Sequence, residues 1–162
     1  MDININTGTK WTTLAISTAV LVLLPFDGTG IYVGCSWWVR LTYPLFHANL
    51  LHAFCNAWCL ISLVFYYDLN FRKIFTAYII AVTIPNFVLS ATPAIGLSGV
   101  CFALMGLTFF VVKRQAMFMA WVMAFLAAGA LMPGIAAAIH TYCYAAGLVA
   151  GLFTSPIKHR QP

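Results

Sequence analysis

The sequence predicts an all-α membrane protein, a bundle of six transmembrane helices with both termini in the cytoplasm. Three observations predict it. Of 162 residues, 63% are apolar and only 7% charged, with a mean hydropathy of +0.94. A soluble domain is about 45–50% apolar and about 25% charged. The apolar residues fall in six runs near the length a bilayer requires, and the charges sit between the runs rather than inside them. A water-soluble globule and a disordered chain are both excluded, and a β-barrel would show short alternating segments instead. Residues 1–162 read as a single membrane domain, with no room for a soluble one.

The first run, 11–26, follows Lys10 and reaches about 24 Å at 1.5 Å per residue. A polar and aromatic segment, Asp27 to Tyr43, follows it; Trp37, Trp38 and Arg40 suit an anchor in the outer interface. The second run is 44–67, closed by Asp68 and the Arg72-Lys73 pair. The third, 74–91, is expected to bend at Pro85. The fourth, 96–112, stops at Lys113-Arg114; the fifth, 116–132, turns at Pro133-Gly134 into the sixth, 135–154. Met117, Met119, Met123 and Met132 with Trp121 make the fifth run a candidate lateral gate, although a Met-rich helix is more often lipid-facing filler.

Six spans place the termini and the connections after the second and fourth spans on one side. Seven of the eight Lys and Arg residues lie there, leaving Arg40 opposite. By the positive-inside rule that side is the cytoplasm, in a multi-pass protein of the cell membrane. The net charge of +5 is spread as helix-end punctuation, which excludes nucleic acid as a partner. The five cysteines contain no C-x-x-C pair and define no disulfide framework. No metal or other cofactor is expected.

Ionisable residues inside a bilayer are costly and point to function. The candidates are His47 and His52 on the second span and His140 on the sixth, joined by Ser98, Asn56 and Asn86; His159 lies in the tail. The even-numbered spans all run from outside to inside. His52, Ser98 and His140 then lie at one level, just below the outer surface. His52 and Asn56 share a stripe at i,i+4. His140, Gly147 and Gly151 share a face of the sixth span, and Gly99, Ala103 and Gly106 form a small-residue face on the fourth. Close packing of those two faces brings the Ser98 hydroxyl within hydrogen-bond reach of the His140 ring, the geometry of a nucleophile and its base. Read singly, each residue has a structural use: Gly96-Leu97-Ser98-Gly99 as a packing patch, His140 as a hydrogen-bonder, His52 with Asn56 as a tie between helices. Their shared depth on three spans favours a site.

At these residues the sequence resembles the rhomboid family of intramembrane serine proteases. Gly96-Leu97-Ser98-Gly99 matches the family's Gly-x-Ser-Gly motif, His47, His52 and Asn56 match its His-x4-His-x3-Asn pattern, and His140 with Gly147 and Gly151 matches its sixth-helix histidine. The likeness runs from about Trp37 to Gly151. It implies Ser98 as nucleophile, His140 as general base, and an oxyanion hole of His52, Asn56 and the Ser98 N–H. It implies a transmembrane protein as substrate, cleaved near the outer face of the bilayer. Asp2, Asp27 and Asp68 are the only acids and none is placed near the site, so the pair is a dyad rather than a triad. Where relatives often carry tyrosine, Phe102 is left to pack on the histidine ring. Cys143 stands where relatives usually have glycine, which implies slightly wider packing beside the dyad. The first-loop Trp-Arg pair of relatives appears as Trp38-Val39-Arg40. Two other classes fit less well. One is a catalytically inactive rhomboid-like protein that binds membrane helices; the other is a metal transporter using His47, His52, Cys55, Cys59 and Cys143.

Overall fold

In the computed structural model, residues 5–23, 25, 28–131 and 134–154 are described. Asp2, Phe26, Asp27, Met132, Pro133, Lys158, His159 and Arg160 lie outside the described residues. Among the described residues the fold is all-helical, with seven α-helices and no strand beyond one isolated bridge.

Helix α1 (Ile5–Val22) buries Thr9, Thr13, Ser17 and Val20, a stripe of mostly small side chains that lets it lie close against α3 (Leu50–Tyr66). The short α2 (Trp37–Thr42) is capped by Ser36 and tightens into a 3-10 turn at Tyr43–Leu45, where Pro44 presets the backbone. The second run was expected to be helical from Pro44. Instead the helix begins at Leu50, because the Asn49 side chain accepts the His52 N–H at 2.8 Å, a cap that stabilises a helix by about 1 kcal/mol. His47 therefore precedes the helix rather than riding on it, and the axes of 37–45 and 50–66 meet at 86°.

The third run also departs from expectation. Helix α4 (Phe71–Val82), capped by Asn70, ends before Pro85 instead of bending there. Proline offers no N–H and its ring disfavours helix at the residue before it. A 3-10 turn at Asn86–Val88 and an extended segment carry the chain to α5 (Ser98–Thr108). Every residue of α5 from Gly99 on is buried, which makes it the central helix. It tightens into a 3-10 turn at Phe109–Val111. Helix α6 (Gln115–Leu131) buries only Val122, Leu126 and Gly129, and α7 (Ala137–Thr154) packs along α5.

The α5–α7 seam depends on glycine. A methyl group at Gly147 would overlap the Ala103 carbonyl, and one at Gly106 would stand 2.6 Å from the Leu148 nitrogen. Gly151 faces the Phe110 ring and the Gly106 carbonyl. Polar contacts tie one end of the bundle: Lys10 pairs with Asp68 at 2.9 Å, and the Lys73 ammonium donates to the Leu107 carbonyl at 3.5 Å. Among the described residues, α7 alone suffices by length and composition to cross a membrane; α2 and α3 suffice only as one bent pair. The segments Ser98–Val111 and Gln115–Leu131 are apolar but shorter.

Candidate active site

Ser98 is the first residue of α5, so its side chain stands at a helix mouth rather than within a packed turn. His140 lies one turn into α7 and is 9% exposed. The glycine seam draws the two helices together, and Ser98 Oγ stands 2.7 Å from His140 Nε2. In the tautomer with its proton on Nδ1, His140 Nε2 accepts a hydrogen bond from the Ser98 hydroxyl. Phe102, one turn after Ser98, stacks on the His140 ring with centroids 4.6 Å apart. The wider packing expected at Cys143 does not part the pair. Its thiol is fully buried and fits into the space left by Gly99, 3.5 Å from where a methyl would stand.

His52 and Asn56 reach the same place from α3. A methyl at Gly96 would stand 2.8 Å from His52 Cε1 and 3.5 Å from Asn56 Nδ2, so both side chains close on the backbone just before Ser98. Gly96 also has φ of +128°, a conformation that favours glycine. Asn56 is buried, and its Nδ2 makes no hydrogen bond. A buried donor without an acceptor is costly; here it lies beside the backbone that precedes the serine.

Ser98, His140, His52, Gly96 and Gly99 line one cavity of about 610 Å³, whose apolar wall includes Leu51, Ile135 and Ile139. Asn56 and Phe102 adjoin that lining, Asn56 beside Gly96 and Phe102 on the His140 ring. Gly147 and Gly151 lie deeper along the seam and act on the site only through helix spacing. Of the acids, Asp68 is paired with Lys10. Among the described residues no three His, Cys, Asp or Glu side chains come together in a group able to hold a metal ion.

Several residues at the site carry no local sequence signal. Tyr43 donates its hydroxyl to the Ala81 carbonyl at 3.0 Å, and its own carbonyl accepts the Gly96 N–H at 3.2 Å. Gly129 of α6 passes beside His140, where a methyl would stand 3.8 Å from His140 Nδ1 and 3.3 Å from Ile135 Cγ2. Asn86, noted only as polar, accepts from Arg40. Trp37 and Trp38 are exposed and stacked at 4.0 Å.

A family model described as the Rhomboid domain matches residues 34–161. No curated protein matches the chain.

Proposed function

The chain belongs to the rhomboid family, and on that premise we propose that it is an intramembrane serine endopeptidase with a Ser98–His140 dyad. The observation that carries this reading is the 2.7 Å approach of Ser98 Oγ to His140 Nε2 at the wall of a cavity. His140 takes the serine proton as Oγ attacks the scissile carbonyl. The Ser98 N–H opens a helix and has no intrahelical acceptor; with His52 and the unpartnered Asn56 amide it receives the oxyanion. His140 then protonates the leaving amine, and water releases the acyl group from Ser98.

The substrate is a transmembrane helix that unwinds locally to expose its peptide bond, since helical carbonyls are hydrogen-bonded and shielded. Small or helix-breaking residues at the cleavage point favour unwinding. The bundle crosses the cell membrane six times with both termini cytoplasmic and the cavity opening outward. The spread of basic residues supports that orientation, and the Lys10–Asp68 pair joins the N-terminal part of α1 to the end of α3, two points that six spans put on the same side. Helix α6 buries little of its surface, which suits a gate for sideways access.

The test is labelling of the purified protein with a serine-directed fluorophosphonate. Wild type takes the label, and Ser98→Ala and His140→Ala do not. A folded wild type that stays unlabelled overturns the protease reading in favour of an inactive helix-binding relative. Reporter fusions at the C-terminus check the orientation: a fluorescent protein lights and a periplasmic phosphatase stays silent.

A further inference from the structure

The segment that delivers Ser98, residues 83–97, contains no regular structure beyond the turn Asn86–Val88. Residues that precede α3 hold it along its length. Arg40 donates to the Ile84 carbonyl at 2.6 Å and to the Asn86 side chain. The Val33 N–H donates to the Ser90 carbonyl at 3.0 Å, and Ile31 and Ala94 exchange backbone hydrogen bonds of 2.8 and 2.9 Å. The last hold before the serine differs in kind: the Leu97 N–H donates to a side chain, His47 Nε2, at 3.1 Å.

His47 is 3% exposed. Accepting at Nε2 requires a neutral ring with its proton on Nδ1. That nitrogen is buried and makes no hydrogen bond. The same ring meets His52 edge-on, with centroids 5.0 Å apart. One buried imidazole thus touches both the residue before the nucleophile and the ring assigned to the oxyanion.

We propose that His47 is a positioning residue, a neutral hydrogen-bond acceptor that sets Ser98 and His52 in register for reaction. The proposal rests on the catalytic reading above. N–H groups at a helix start need an acceptor from outside the helix, and at Leu97 the ring supplies it. Leucine at position 47 fills the space but accepts nothing, so the Leu97 amide turns away and carries Ser98 with it. A misplacement of about 1 Å at a reacting atom costs on the order of 10²-fold in rate. Glutamine sets a carboxamide oxygen near the place of Nε2 and restores the acceptor.

The experiment compares wild type, His47→Leu and His47→Gln for fluorophosphonate inactivation, in which Ser98 Oγ bonds to phosphorus and fluoride leaves, separated into binding and phosphonylation rate. Alongside it, hydrogen exchange is followed by mass spectrometry on the peptide containing Leu97. In His47→Leu the phosphonylation rate falls by on the order of 10²-fold with binding little changed, and exchange at Leu97 rises. His47→Gln recovers most of both. Wild-type phosphonylation and exchange in His47→Leu overturn the proposal, as does a folded His47→Gln no better than His47→Leu. A wild type that never labels removes the catalytic reading instead; exchange then decides alone, and an unchanged Leu97 amide in His47→Leu overturns the role of His47 in holding Leu97.

Discussion

The Phe102 ring lies nearly parallel to the His140 imidazole, its plane tilted by 22° and its centroid 4.6 Å away. Both Ser98 and the surface that orients the His140 ring therefore come from α5, and α7 contributes only the ring held between them. The stack needs an aromatic face and makes no use of a hydroxyl.

Phe102→Ala is expected to free the His140 ring and lower fluorophosphonate labelling by at least about tenfold, with a loss of about 3 kcal/mol or more from the buried cavity. Phe102→Tyr keeps the face and most of the rate. Labelling kinetics beside a thermal melt separates the two losses; a Phe102→Ala protein that labels at the wild-type rate refutes this role for the stack.

Asn56→Ala tests the oxyanion assignment in a way stability cannot imitate. Its Nδ2 makes no hydrogen bond in the resting protein, so little folding energy depends on it. The expected result is a rate lower by about 10²–10³ with an unchanged or slightly raised melting temperature. A large fall in melting temperature would show that the side chain serves packing.

Gly147→Ala and Gly106→Ala place a methyl against backbone atoms of the facing helix, which cannot move without the whole helix. Each should cost about 1–3 kcal/mol or more and abolish labelling by parting Ser98 from His140. Gly151→Ala meets the edge of the Phe110 ring at 3.1 Å, a side chain that can turn, so its melt should change less. Equal losses at all three positions would contradict this ordering.

Arg40→Ala leaves the Ile84 carbonyl and the Asn86 side chain without their donor. Hydrogen bonds to a charged group contribute about 1.5–3 kcal/mol, and half-exposure reduces that, so a loss of about 1–2 kcal/mol is expected. Lysine should restore only part of it, since it lacks the planar fork. Denaturation of the three proteins in one detergent measures the order.

Much of this was legible in one dimension. Composition and the punctuation of charges specify a helical membrane protein, because a bilayer tolerates few unsatisfied polar groups. The few polar residues left in apolar runs then make Ser98, His140, His52 and Asn56 the candidates for a site, because ionisable and polar groups are costly inside a bilayer. Helix limits were less legible where a side chain competes with the backbone, as Asn49 does in starting α3 late, or where Pro85 ends α4 outright. What needed three dimensions was every contact made across chain distance. The 2.7 Å between Ser98 and His140 depends on Gly106 and Gly147 letting two backbones touch. The place of Ser98 depends on bonds from Arg40, Ile31 and His47, residues whose local sequence carries no sign of their partners. Periodicity reports which face of a helix is apolar; only packing reports what that face meets.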